Sequence, residues 1–316
     1  MKASGYIITF VKGILVGVAN IIPGVSGGTF ALILGIYERL IGALGSAGTR
    51  SLAVLARWLV KPGDRERRRE LLAELARLDF WWLLVLAAGA AAAILASSRV
   101  IVFLLDHYRS ATLAFFVGLI VPSVLVPYGM MERRGWPQAL ACLAGCTLLV
   151  VFTALVPPAT GGTDNPLMLF FSGALAISAM ILPGVSGSFV LMVLGQYRAV
   201  LEAINHWNLL PLGIFAAGCL VGLLAFVRML KYLLEHYHAT TLAFLIGLIL
   251  GSLWVLWPFK EVAAGAKLVE GRNIWPTGFD REVLYALLAG LAGMACSAGL
   301  NRLGRSETGG AGEARG

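Results

Sequence analysis

Charged residues are scarce in this chain. They make up 13% of its 316 residues, where soluble domains carry about a quarter. Hydrophobic residues reach 59% and the mean hydropathy is +0.83. Apolar runs of about 17 to 25 residues recur from Ile7 to Leu300, which excludes a soluble enzyme with one anchor. Alternation with period two is missing as well, and that excludes a membrane β-barrel. Cysteine is sparse, and Cys142, Cys146, Cys219 and Cys296 all sit in apolar runs, which excludes a secreted disulfide framework. Cys142 and Cys146 share a helix face, but no histidine or third cysteine stands near them, so no metal site is expected and they read as small packing residues. The net charge of +8 points to membrane orientation and not to nucleic acid, because the basic residues cluster between the apolar runs. Lys2 ahead of an apolar stretch has the outward form of a signal peptide. Lys12 interrupts that stretch, and the segment belongs to a repeat.

What the chain does have is an internal duplication. Residues 13–45, GILVGVANIIPGVSGGTFALILGIYERLIGALG, align without a gap on residues 173–205, GALAISAMILPGVSGSFVLMVLGQYRAVLEAIN, at an offset of 160. A second pair, LLDHYRSATLAFFVGLIVPS at 104–123 and LLEHYHATTLAFLIGLILGS at 233–252, aligns at an offset of 129. The first half therefore carries 31 extra residues between its two blocks, which places an insertion at about 46–79. That stretch holds eight Lys and Arg residues with Leu71, Leu72, Leu75 and Leu78 at helical spacing, as in an interfacial amphipathic helix on the cytoplasmic face.

The reading is an all-α polytopic membrane protein. Half-helices are expected at 5–22 and 29–45, then spans at 80–98, 111–129 and 136–156; half-helices at 166–182 and 189–204 and spans at 211–230, 240–258 and 283–300 repeat the order. Three spans between the repeats invert the second, so the domains read as repeat one over 1–160, an inverted repeat two over 161–303, and a disordered tail over 304–316. With the N-terminus inside, 18 of the 25 Lys and Arg residues fall on the cytoplasmic side, which puts both termini there.

Each Pro-Gly-Val-Ser-Gly turn should break its hairpin, because proline removes a donor and glycine permits angles a helix does not use; the break falls at membrane depth in a re-entrant hairpin, or at the water interface if both arms span. Broken backbone at membrane depth must be buried in protein or line a wet cavity. A helix begins after each turn with its free N–H groups and positive dipole end facing the break, which suits an anion. The expected anion site combines Asn20, Pro23, Gly24, Ser26, Gly27, Gly28 and Thr29 with Pro183, Gly184, Ser186, Gly187 and Ser188, brought together near the midplane.

The paired motifs Asn20-Ile-Ile-Pro-Gly-Val-Ser-Gly-Gly-Thr29 and Leu182-Pro-Gly-Val-Ser-Gly-Ser188, with Phe115-Phe-Val-Gly-Leu119 and Phe244-Leu-Ile-Gly-Leu248, resemble a bacterial and archaeal family of polyprenyl-phosphate transporters. The resemblance runs from about Gly13 to Leu300. It implies a plasma-membrane flippase that returns undecaprenyl phosphate, the carrier lipid of cell-wall synthesis, from the outer to the inner leaflet. The halves part company after the motif, where the first reads Gly35-Ile-Tyr-Glu38 and the second Gly195-Gln-Tyr-Arg198.

Ionisable residues in such a setting need a location or a task. Glu38 with Arg39, and Arg198 with Glu202, are candidates for gating pairs or interfacial anchors. Arg99 and Arg109 could steer a phosphate head group from the outer leaflet. His107 and His236 occupy matching Asp-His-Tyr and Glu-His-Tyr positions, where an imidazole could serve a proton-coupled step or simply sit at an interfacial turn. A proton or sodium ion is the candidate coupling ion. A transporter of a small soluble anion through the same helix ends is the alternative function. An enzyme is not expected: there is no Asp-rich prenyl-binding run, no neighbouring histidine for Ser26 or Ser186, and no cofactor signature.

Overall fold

The computed structural model describes residues 3–21, 26–155, 165–261 and 272–312. The first half begins with α1 (Ala3–Ile21), α2 (Gly27–Ile33) and α3 (Tyr37–Gly45), followed by α4 (Thr49–Val60) and α5 (Arg65–Arg77). It continues through α6 (Phe80–His107), α7 (Arg109–Ser123), α8 (Leu125–Met130) and α9 (Trp136–Leu155). The second half holds α10 (Pro166–Ile181), α11 (Gly187–Val193), α12 (Tyr197–Asn205), α13 (Leu209–His236) and α14 (His238–Val255). A two-residue ribbon, β1 (Lys260–Glu261) against β2 (Arg272–Asn273), precedes α15 (Arg281–Gly312). The repeat boundary at 160/161 falls outside the described residues. α15 runs through residues 304–312, which the sequence reading assigns to a disordered tail.

Among the described residues, six helices are long and apolar enough to cross a membrane, or eight spans if each bent pair counts as one. The chain is an all-α polytopic membrane protein.

The segments expected as single half-helices at 29–45 and 189–204 are each two helices. α2 and α3 meet at 118°, and α11 and α12 at 112°. The cause is a glycine stop. Gly35 and Gly195 take positive φ, at 65° and 70°. In the first half the N–H of Gly35 donates to Leu32 and that of Ile36 to Ala31; Gly195 and Gln196 repeat the pattern on Met192 and Leu191. This is the Schellman arrangement, which a Cβ at the left-handed position would strain.

Helix pairing depends on backbones that touch. α1 lies on α6 as α10 lies on α13, and the remaining pairs exchange between halves, α7 with α15 and α14 with α9. A Cβ at Gly118 would stand 2.0 Å from the carbonyl oxygen of Gly290, and one at the equivalent Gly247 would stand 2.0 Å from that of Cys142. Without a hydrophobic drive between helices in lipid, such close approach lets dispersion and backbone contacts hold the bundle. α14 is the most enclosed of the long helices described, with Leu242, Leu245, Leu248 and Ile249 all at 1% exposure or less. Apolar side chains such as Leu95, Leu143 and Leu220 face outward, as lipid permits. Trp81, Trp136, Trp207 and Trp275 are exposed in keeping with an interfacial belt, but Trp82 is buried beneath the guanidinium of Arg39.

The insertion is a helical hairpin and not one amphipathic helix. Lys61-Pro62-Gly63 stops α4, and the Asp64 carboxylate accepts the N–H of Glu66 to start α5. Glu74 ties the hairpin together, accepting from Arg77 at 2.5 and 3.0 Å and from Ser51 at 2.6 Å. Arg77 and Ser51 hold the Glu74 carboxyl at about 2, below its usual 4.5. A depressed carboxyl stabilises the fold above its unfolded pKa and ceases to do so as pH falls through its folded one. Hydrogen exchange in residues 49–77, corrected for intrinsic rates, should stay slow down to about pH 4.5 and lose protection between there and about pH 2. Glu74→Ala should lose that protection at pH 7.

Candidate functional site

The last turn of α10 leaves carbonyl groups with no helical partner, and the first half supplies hydroxyls to them. Ser26 Oγ donates between the carbonyl oxygens of Met180 and Leu182, at 3.2 and 3.0 Å. Tyr37 donates its phenol to Ile181 at 3.2 Å. In return, the N–H of Gly184 donates to Thr29 Oγ1 at 2.8 Å. The two motif turns therefore interlock. Gly28 permits the approach, since a Cβ there would lie 2.4 Å from the Ile181 carbonyl oxygen. Gly184, at φ 81°, packs on the backbone of α14, where a Cβ would lie 2.7 Å from the Leu248 carbonyl oxygen.

The two turns are not alike. At the first, Ser26, Gly27, Gly28 and Thr29 are all buried, and the N–H groups of Gly27, Gly28 and Thr29 have partners inside the chain. The N–H of Gly27 donates to Asn20 Oδ1 at 3.0 Å, that of Gly28 to Ser26 Oγ at 3.1 Å, and that of Thr29 to the Ser26 carbonyl at 2.9 Å. Asn20 is thus a cap, and its amide donates back to Val16. Pro23 and Gly24 lie outside the described residues. At the second turn Met180 stands in place of Asn20, and Pro183 and Gly184 are buried. Ser186 does not cap α11; its hydroxyl is 2.9 Å from that of Ser188, and Ser188 is exposed. Among the described residues, no partner meets the N–H groups of Gly187, Ser188 or Phe189.

Comparison with known proteins agrees with this architecture. The model of the undecaprenyl phosphate translocase-like family matches residues 16–274. The chain belongs to that family. It is 34% identical over 314 residues to the polyprenyl-phosphate transporter of Vibrio cholerae serotype O1, covering 95% of this chain and 98% of that one. It is 31% identical over 175 residues to the polyprenyl-phosphate transporter of Staphylococcus aureus, covering 49% of this chain and 61% of that one. Both relatives are named transporters, and this translocase-like chain is accordingly not read as an enzyme. No solved structure matches it.

The charged residues of this translocase-like chain pair differently from the sequence reading. Glu38 does not pair with Arg39; it meets His238 Nε2 at 2.8 Å, across the two halves. Arg39 instead holds Asp79 at 2.6 Å. Arg198 and Glu202 are exposed and form no ion pair with each other. His107 and His236 sit at helix ends, where Nδ1 faces the carbonyl of Phe103 and of Tyr232, each at 3.0 Å, and each ring stacks on that residue's side chain. These are turn positions away from the interlocked motifs. The Arg99 side chain lies outside the described residues; its repeat equivalent, Arg228, donates to the Ala47 carbonyl at 2.8 Å. Arg109 has a buried Nε with no acceptor among the described residues.

Sequence reasoning missed Tyr37 and His238. Tyr37 has the equivalent Tyr197, so the duplication itself marks it. His238 stands opposite Arg109 in the second aligned block and so carries no symmetric signal.

Proposed function

We propose that the protein carries polyprenyl phosphate, undecaprenyl phosphate in particular, from the outer to the inner leaflet of the plasma membrane. The observation that carries this reading is the asymmetric interlock: among the described residues, the N–H groups that open α2 are capped by Asn20 and Ser26, while those that open α11 have no partner and the Ser186 and Ser188 hydroxyls bond only each other. The phosphate oxygens would accept from Ser186 and Ser188 and from the N–H groups at the start of α11, where the helix dipole favours negative charge. The first turn, with Asn20, Ser26, Gly27, Gly28 and Thr29, then serves as the scaffold and takes the ligand when the halves rearrange.

Short helices support a site at membrane depth. α2 and α11 have seven residues each, a length of about 10 Å, or a third of the hydrocarbon core. With bends of 118° and 112° after them, these pairs suit re-entrant hairpins in two inverted repeats. The prenyl tail stays in lipid while the phosphate crosses. The Lys and Arg bias favours both termini in the cytoplasm, and a proton or sodium ion can drive the cycle.

Binding of labelled geranylgeranyl phosphate to the purified protein tests the reading. Ser186→Ala/Ser188→Ala removes only hydroxyls whose described partners are each other, so the fold should persist. Affinity should fall about tenfold or more, as for the loss of charge-assisted bonds. Displacement by inorganic phosphate as readily as by unlabelled lipid would instead identify a soluble anion as the substrate.

A further inference from the structure

The duplication carries a second asymmetry, in the charged residues after the bends. In one half Glu38 at the start of α3 is held by His238, and α3 rests on α13 of the other half. The repeat offsets put Arg198 where Glu38 stands and Arg109 where His238 stands. At that equivalent place, among the described residues, α12 makes no contact with α6 comparable to that of α3 with α13. Ile41 on α3 is 1% exposed, whereas its equivalent Leu201 on α12 is 41% exposed. Arg198 is exposed without an ion pair, and Arg109 has an Nε shut off from solvent with no acceptor, among the described residues. The nearby carboxylate on α15, Glu282, accepts from Ser110.

A carboxylate and an imidazole can close directly on one another. Two guanidinium groups repel, and they come together only around an anion. A phosphate monoester has the charge and the several acceptor oxygens to bridge two such forks. Resting on the reading that the substrate is a lipid phosphate, we propose that Arg109 and Arg198 form a phosphate-dependent clamp. α12 closes on the opposite half when a phosphate bridges the two arginines, and an empty carrier stays open on that side. The clamp is thus a second anion station, one short helix removed from the Ser186 and Ser188 hydroxyls, and it ties closure to occupancy.

Leu201→Cys reports the closure, because its side chain should be covered when α12 docks. Labelling of this full-length variant by a charged maleimide is followed in nanodiscs, with the protein carrying Leu201 as the blank for the native cysteines. Geranylgeranyl phosphate should slow labelling about tenfold as the closed population grows, and geranylgeraniol should not. Adding Arg198→Glu should slow labelling without any ligand, since it rebuilds the opposite-charge pair. Adding Arg198→Gln should keep labelling fast with or without the lipid phosphate. Fast labelling in Arg198→Glu, or protection of Arg198→Gln equal to its parent, overturns the clamp and leaves the substrate reading standing. Protection by inorganic phosphate at the same concentration supports the clamp and moves the substrate to a soluble anion. No response of the parent to either phosphate overturns the clamp, and binding of labelled geranylgeranyl phosphate to the same variant decides the substrate reading separately.

Discussion

Gly247→Leu should yield no monodisperse protein, and Gly118→Leu should fail in the same way. Each added side chain starts 2.0 Å from a carbonyl oxygen of the facing helix, at Cys142 and at Gly290 respectively. Those atoms belong to backbone, so relief requires whole helices to separate. Overpacking a soluble core costs about 1 to 3 kcal/mol, occasionally more, and here the strained contact is also the contact that holds the pair in lipid. The reciprocal contacts add to the effect, since Gly145 is just as close to Phe244 and Gly293 to Phe115. Gly42→Ala, where an added Cβ meets nothing within 4 Å, is the control and should express and melt like the parent. Size-exclusion profiles and thermal scans in detergent measure both. A sharp peak with an unchanged melting temperature for Gly247→Leu would mean that the α14 and α9 contact does not hold the bundle.

Thr29→Val should separate the interlocked turns while leaving packing volume nearly unchanged. It removes the acceptor for the Gly184 N–H, which is buried and has φ 81°. Leaving a buried donor unpaired costs about 1 to 3 kcal/mol. The loss falls on the joint between the halves, so transport should drop severely even where folded protein is recovered. Thr29→Ser keeps the oxygen and should behave close to the parent. Ser26→Ala attacks the same joint from the other side, freeing the Met180 and Leu182 carbonyls and uncapping α2. Equal transport by Thr29→Val and Thr29→Ser would show that this hydrogen bond is incidental.

Much of this arrangement is legible from the amino acids. Length and apolarity mark the long helices, and the duplication alone pairs Gly118 with Gly247 and the first turn with the second. The bends after α2 and α11 are legible too, because Gly35 and Gly195 follow apolar turns at the place where a Schellman stop puts a glycine. The two-helix form of the insertion is equally signalled by Pro62-Gly63-Asp64. The asymmetry of the turns is harder to read. Asn20 against Met180 and Gly28 against Ser188 are visible as differences, but that Asn20 and Ser26 fold back to cap α2 while Ser186 leaves α11 uncapped depends on the path of each turn. Cross-half partners such as Glu38 with His238 are 200 residues apart. They depend on which helices exchange between halves, and helical periodicity carries no trace of that.

The most direct measurement follows labelled undecaprenyl phosphate between the leaflets of liposomes that contain the purified protein. Parent protein should move the lipid, and folded Ser186→Ala/Ser188→Ala should move it at least about tenfold more slowly. It is a cleaner variant than Gly187→Leu, whose Cβ would meet the Ala176 carbonyl oxygen at 2.7 Å and disturb packing. Movement by the parent that survives intact in the double variant would contradict the site. No movement by the parent, with or without a pH or sodium gradient, would contradict the function.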